Sequence, residues 1–143
     1  MSRSVLRCAV VAMGLSFVAA AAFAAPEGSV QINYSRCDNN YEGWGLHTWK
    51  NPGIPLPGIE WANPMAPTGN NDFGIYWVTD LKEYGSSGTV NYIIHKGDTK
   101  EQGGRDMKFK GTEHAEIWVN SDDRKVYYSL NDAKAARAAK PCQ

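Results

Sequence analysis

The residues best suited to chemistry in this chain fall in one run, Tyr41-Glu42-Gly43-Trp44-Gly45-Leu46-His47-Thr48-Trp49. Read with a period of two, Trp44, Leu46 and Thr48 point to one face and Gly45, His47 and Trp49 to the other. The first face suits a core. The second sets a histidine two residues before a tryptophan, beside a glycine that leaves room. Flat rings next to polar side chains suit a ligand with apolar faces and polar edges. Sugar rings are such ligands: their C–H faces stack on indoles, and their hydroxyls bond to lysine, aspartate or histidine at the rim. Packing is the competing reading, since the five tryptophans of an all-β chain mostly build a core.

Other chemistries find less support. There is no GxSxG elbow, and neither Cys37 nor Cys142 carries the features of an activated thiol. Acidic residues are present, but none lies in a stretch that reads as the floor of a deep cleft, so paired-carboxylate catalysis is not expected. His47, His95 and His114 lack HxxxH spacing and no CxxC occurs, so a metal site is not expected. His47 and His95 are placed to approach one another on adjacent strands, where ordinary hydrogen bonding would employ both.

The elements that must hold these residues are strands. Ser29–Ser35 alternates Val30, Ile32 and Tyr34 against Gln31, Asn33 and Ser35, the pattern of a half-buried strand. Arg36 to Asn40 is a turn, and with Trp44–Trp49 following, the first two strands read as an antiparallel hairpin. Asn51–Asn71 is broken by five prolines and several glycines, so no ladder is expected through it. Ile54, Ile59, Trp61 and Met65 imply that it folds back onto the domain. Asp72–Asp80 and Thr89–Lys96 are the next strands, and Gly97–Arg105 is a polar loop. Ala115–Asn120 and Lys125–Leu130 close the sheet region around a turn at 121–124. Asn131 then caps an alanine-rich helix over Asp132–Lys140. The fold expected is all-β, an antiparallel, immunoglobulin-like β-sandwich with a short C-terminal helix.

Residues 1–24 read as a signal peptide: Arg3 and Arg7 are basic, Cys8 to Phe23 is apolar, and Ala22-Phe23-Ala24 fits a small-x-small cleavage site. The apolar run is short for a membrane span, and none is expected in the mature form. The chain is therefore expected to be exported, periplasmic or secreted. Without the leader, 15 basic residues less Arg3 and Arg7 face 15 acidic ones, a net charge of about −2 that argues against nucleic acid. The mature chain of roughly 119 residues suffices for one domain with its own core. In an oxidising compartment Cys37 and Cys142 are expected to pair, two free thiols being the alternative.

Several of these segments together resemble a known family. Val30-Gln31-Ile32-Asn33-Tyr34-Ser35-Arg36 followed by Asn40 to Trp49 is similar to the opening of the pullulanase-associated domain, the family 41 carbohydrate-binding module, with its HYxR-like strand and Y-D-G-W-x-L-x-x-W motif. Asn71-Asp72-Phe73-Gly74, Tyr92 to Lys100, Arg105-Asp106 and Ala115 to Val119 continue the match in order, over about Ser29 to Tyr128. The resemblance implies a non-catalytic module without a cofactor, spanning residues 25–130, that binds α-glucans such as pullulan, amylopectin, glycogen and maltooligosaccharides, with residues 131–143 as helix and tail. It implies a stacking platform at His47 and Trp49, and polar contacts from Lys100 and Asp106.

The departures are specific. His47 stands where well-binding members often have tryptophan. The stretch from Lys100 to Asp106 is one residue longer than the common family spacing, leaving Asp98 and Glu101 as substitutes for the aspartate. Cys37 replaces a common proline and Cys142 lies in a tail outside the pattern, which supports a disulfide holding the helix near the binding strands. No catalytic barrel follows, so a separately encoded glycoside hydrolase is a possible partner. The alternative function is an exported structural or protein-interaction domain that has lost the sugar.

Overall fold

The computed structural model describes residues 24–143. The proposed leader, up to residue 23, lies outside the described residues. In chain order the strands are β1 (Ser29–Ser35), β2 (Gly45–Lys50), β3 (Ile54–Pro55), β4 (Gly69–Asn70) and β5 (Ile75–Asp80). They continue as β6 (Thr89–Lys96), β7 (Thr99–Lys100), β8 (Met107–Lys110) and β9 (Glu116–Asn120), and helix α1 (Leu130–Ala139) closes the chain.

Two sheets face each other, as expected of a sandwich. One is four-stranded in the order β4-β5-β1-β9; the other is five-stranded, β3-β2-β6-β7, with β8 pairing with β6. All recorded pairings are antiparallel except that of β1 with β9. Between the sheets lie Val30, Ile32, Tyr34, Trp77, Ile117 and Val119 from one side and Leu46, Val90, Tyr92, Ile94 and Phe109 from the other, all buried. Thr48 belongs to this inner face despite its hydroxyl. Its Oγ1 donates to the Asn91 carbonyl oxygen at 2.7 Å and lies 2.9 Å from the Tyr84 hydroxyl, so the polar group is satisfied where it is buried.

The expected β1–β2 hairpin does not form. Both edges of β1 are taken, by β5 and β9, while β2 pairs with β3 and β6 in the opposite sheet. Residues 36–44 carry the chain across instead, a span ample for sheets about 10 Å apart. Arg36 organises the crossing by donating to both Asp38 oxygens, at 2.9 and 2.6 Å, which holds that carboxyl at about 2. Its guanidinium carbon lies 4.3 Å from the Trp44 ring centroid.

Central placement also corrects the half-buried reading of β1, because Gln31 and Asn33 are buried on the outer side. Gln31 Nε2 donates to Asn33 Oδ1 at 2.8 Å, and Asn33 Nδ2 donates to the Ile117 carbonyl oxygen at 3.1 Å. Asn71 Nδ2 donates to the same Asn33 oxygen at 2.9 Å. Gly74 sits at the turn Asn71 makes, where a Cβ would come 2.1 Å from the Tyr34 carbonyl oxygen; only glycine fits that approach.

Other boundaries move. The strand expected from Asp72 starts at Ile75, since Asn71 Oδ1 accepts from the backbone N–H groups of Phe73 and Gly74 and closes a turn there. The strand expected at Lys125–Leu130 reduces to one bridge, Trp118 with Tyr127. Helix α1 begins at Leu130 because Ser129, not Asn131, is the cap: its Oγ accepts from Asp132 N at 3.1 Å. Strand β8 had not been anticipated, although Met107 and Phe109 alternate with Lys108 and Lys110. Gly97–Arg105 holds β7 and a single 3-10 turn rather than loop alone.

Cys37 and Cys142 are joined, with Cα atoms 5.4 Å apart. Arg137 of α1 donates to Cys37 Sγ at 2.9 Å and to the Ser121 carbonyl oxygen at 2.9 Å, while Asn120 Nδ2 donates to the Ala133 carbonyl oxygen at 2.9 Å. The helix is thus fastened to the end of β9 and to the turn after β1.

Candidate functional site

The outer face of the five-stranded sheet is defined by register. Residues directly opposite on paired strands share a face, so three rows cross it: Gly45, His95 and Lys100; His47 and Ile93; Trp49, Asn91 and Lys108. The alternation in the Trp44–Trp49 stretch holds as expected, with Trp44, Leu46 and Thr48 buried and His47 and Trp49 half-exposed. Asn91 steadies the tryptophan's backbone by donating from Nδ2 to the Trp49 carbonyl oxygen at 3.1 Å.

The proline-rich segment completes the surface. It runs along the free edge of β2, pairing Pro55 with Trp49 and bridging Met65 to Leu46. A ladder thus enters it after all, because proline on an edge strand forfeits no interior hydrogen bond. Leu46 N donates to the Met65 carbonyl oxygen at 3.0 Å and Met65 N returns a bond to Leu46 at 2.9 Å. Glu60 and Asn63 exchange backbone bonds of 3.2 and 3.0 Å, closing a tight turn that displays Trp61. A Cβ on Gly45 would meet Pro64 Cγ at 2.6 Å. The room left by that glycine is therefore filled by the chain's own loop. Ile59 and Met65 pack on the core as expected, whereas Ile54 is 51% exposed.

Trp61 lies on His95 with ring centroids 3.8 Å apart and planes 5° from parallel. Its Nε1 donates to Asp98 Oδ1 at 3.3 Å, and Lys100 Nζ sits 4.9 Å from its ring centroid. His47 stands between the indoles, 5.6 Å from Trp49 at 40° and 5.6 Å from Trp61 at 68°. His47 and His95 do approach, at 6.4 Å. The third histidine, His114, stacks on Tyr128.

The protonation of this cluster follows from its surroundings. Burial, then the neighbouring His95, holds the His47 imidazole below the usual 6.5, against the opposing pull of the Glu60 backbone and the Asp106 carboxylate. A neutral His47 offers one donor and one acceptor, and its Nδ1 is buried with no partner among the described residues. His95 Nδ1 faces the Gly97 carbonyl oxygen at 2.8 Å. A carbonyl only accepts, so Nδ1 carries a proton and donates it to Gly97.

The four residues expected to act together, His47, Trp49, Lys100 and Asp106, fall on this one face. Asp106 precedes Met107, whose partner Tyr92 points inward, and its charge is felt at His47. The two substitutes separate. Asp98 is at the rim, under the Trp61 N–H. Glu101 is buried and committed elsewhere: Oε1 accepts from the Tyr34 hydroxyl and from Arg36 Nη1 (3.1 Å), and Oε2 from Asp122 N (3.3 Å). Burial and Glu101 together push the Tyr34 hydroxyl far above its ordinary range. Trp61 and Lys108 were not anticipated at the site. The signal for Lys108 is the Met107–Lys110 alternation; for Trp61 it is a lone indole in a turn.

Among the described residues no cluster of three or more histidine, cysteine, aspartate or glutamate side chains is arranged to hold a metal, and no helix is long and apolar enough to cross a membrane. A cavity of about 600 Å³ lies between the same loop and the end of β5, lined by Leu56, Ile59, Met65, Thr79, Asp80 and Glu83 among others. None of the site's rings lines it.

Comparison with known proteins places these features in context. The family described as bacterial pullanase-associated domain matches residues 28–128. An alpha-amylase of Streptomyces lividans is 37% identical over 70 residues, 49% of this chain and only 7% of that protein. Among solved structures, family 41 carbohydrate-binding modules from streptococcal virulence factors, studied for alpha-glucan recognition, align at 26% identity and TM-score 0.60 over 73% of this chain and 48% of theirs. Klebsiella pneumoniae pullulanase complexed with maltotriose aligns at 25% identity and TM-score 0.63 over 82% of this chain and 12% of that one. This chain thus spans less than half of each.

Proposed function

The chain belongs to the bacterial pullanase-associated domain family, and from that premise we propose that it is a non-catalytic module binding α-glucans on the outer face of the five-stranded sheet. The observation that carries this reading is the ring cluster of Trp49, His47 and Trp61, half-exposed and bordered by Lys100, Asp106, Asp98 and Lys108. Two indoles supply apolar faces for consecutive glucose rings. His47 lies within 5.6 Å of each, at 40° to one indole and 68° to the other, so all three rings fall within reach of one short oligosaccharide. Neutral His47 gives and takes a hydrogen bond, and the charged rim meets hydroxyls without demanding a charged ligand. The role is binding without turnover, in an exported protein, and a glycoside hydrolase on the same polymer is the natural companion, since tethering raises local concentration.

Native electrophoresis in gels containing glycogen or pullulan tests the proposal. Wild-type protein is retarded and Trp49→Ala, folded by circular dichroism, is not. Wild-type migration that ignores saturating polysaccharide rejects it. One observation favours a second reading, a protein-interaction domain: the cavity of about 600 Å³ beside the proline-rich loop offers a contact surface away from the rings.

A further inference from the structure

Glu116 opens β9 opposite Gln31, on the outer side of the four-stranded sheet. Its Oε1 accepts a hydrogen bond of 2.5 Å from the backbone nitrogen of Ala25, 91 positions away in the chain. Ala25 is half-buried, and the Pro26 carbonyl oxygen accepts from Ser29 N at 3.0 Å, so a short turn seats this nitrogen before β1 begins. Ala25 is also the residue that follows Ala22-Phe23-Ala24, where the leader reading places cleavage.

We propose that Glu116 is the built acceptor for the α-ammonium group that leader removal creates on Ala25. A leader peptidase adds water across the Ala24–Ala25 peptide bond: the C–N bond breaks, the water oxygen stays on Ala24 as a carboxylate, and nitrogen gains two protons to become ammonium. Before cleavage that nitrogen is a neutral amide with one hydrogen. After cleavage it carries a positive charge and three hydrogens, already within bonding distance of a carboxylate. A neutral–ionic hydrogen bond becomes a fully ionic one, which is shorter and stronger. The precursor, whose Ala25 nitrogen is an uncharged amide, lacks this ionic clasp; the processed chain acquires it on cleavage. The inference is independent of glucan binding.

The test compares protein released from a fusion so that it begins at Ala25 with protein carrying Gly-Ser before Ala25, each with and without Glu116→Gln. The Ala25 form melts about 3–6 °C higher than the extended form, and Glu116→Gln reduces that gap to about 1 °C or less. N-terminal sequencing of the exported protein returns Ala25 first. Equal melting of the two wild-type forms, a gap that survives Glu116→Gln, or a different first residue overturns the proposal. The wild-type pair decides by itself should the variant not fold.

Discussion

Trp61 rests face to face on His95, the ring planes 5° apart and their centroids at 3.8 Å. A side chain from an irregular loop is thereby set by a side chain from the middle strand of the sheet. The loop alone does not orient the indole. His95 below, Asp98 at the N–H and Lys100 near the ring do so together, which pre-organises a ring that would otherwise lose rotamer freedom on binding.

That arrangement predicts that Trp61 contributes to glucan affinity on the same scale as Trp49. Trp61→Ala is expected to weaken retardation by maltooligosaccharide-bearing polymers about 2- to 12-fold, corresponding to about 0.5–1.5 kcal/mol of stacking. Affinity electrophoresis over a glycogen series measures it. Full wild-type retardation of Trp61→Ala would exclude the indole from the site.

His47 gives a pH dependence of stability. Its folded-state midpoint is depressed below 6.5, so between that midpoint and about 6.5 the unfolded chain binds more protons than the native one. Stability therefore rises with pH through this window and levels off above it. The His47 contribution is lost on acidification and vanishes in His47→Gln. Titration of the imidazole by NMR reads the midpoint directly; a value at or above 6.5 contradicts the assignment.

Glu101 and Asp106 separate structure from recognition. Glu101→Gln removes the carboxylate that holds Tyr34 and Arg36, and is expected to cost about 1–3 kcal/mol in urea unfolding while leaving glycogen retardation unchanged. Asp106→Asn is expected to do the reverse, with stability within about 0.5 kcal/mol and weaker retardation. Interchanged outcomes would move Glu101 to the sugar.

The Cys37–Cys142 bridge closes a loop with a sequence separation of 105. In the chain-entropy account a loop of that length contributes about 4–5 kcal/mol. The Cys37→Ser, Cys142→Ser double variant is expected to lose most of that in denaturant unfolding, and a loss near zero would show that α1 is held by Arg137 and Asn120 alone.

Much of this architecture was legible in residue order. A period of two assigns faces locally, so Trp44, Leu46 and Thr48 went inward and His47 and Trp49 outward before any neighbour was known. The spans of β1 and β6, and the pairing of Cys37 with Cys142, follow from equally local or compositional arguments. What a face assignment does not contain is the identity of the adjoining strand. Two consecutive strands look like a hairpin until β5 and β9 claim both edges of β1. Glu101 reads as a loop carboxylate, yet it is buried, because its partners Tyr34 and Arg36 lie more than sixty positions earlier.

The last division falls at the binding face. By itself, the amino-acid order determined that an exposed histidine and tryptophan share one side of a strand, since alternation is a property of the backbone. Only the tertiary structure decided that Trp61 joins them. Its position among prolines and glycines has no period to read, and the ring is placed by contacts with His95, Asp98 and Lys100 across distant segments. Those contacts are side-chain packing, which depends on where the whole chain goes.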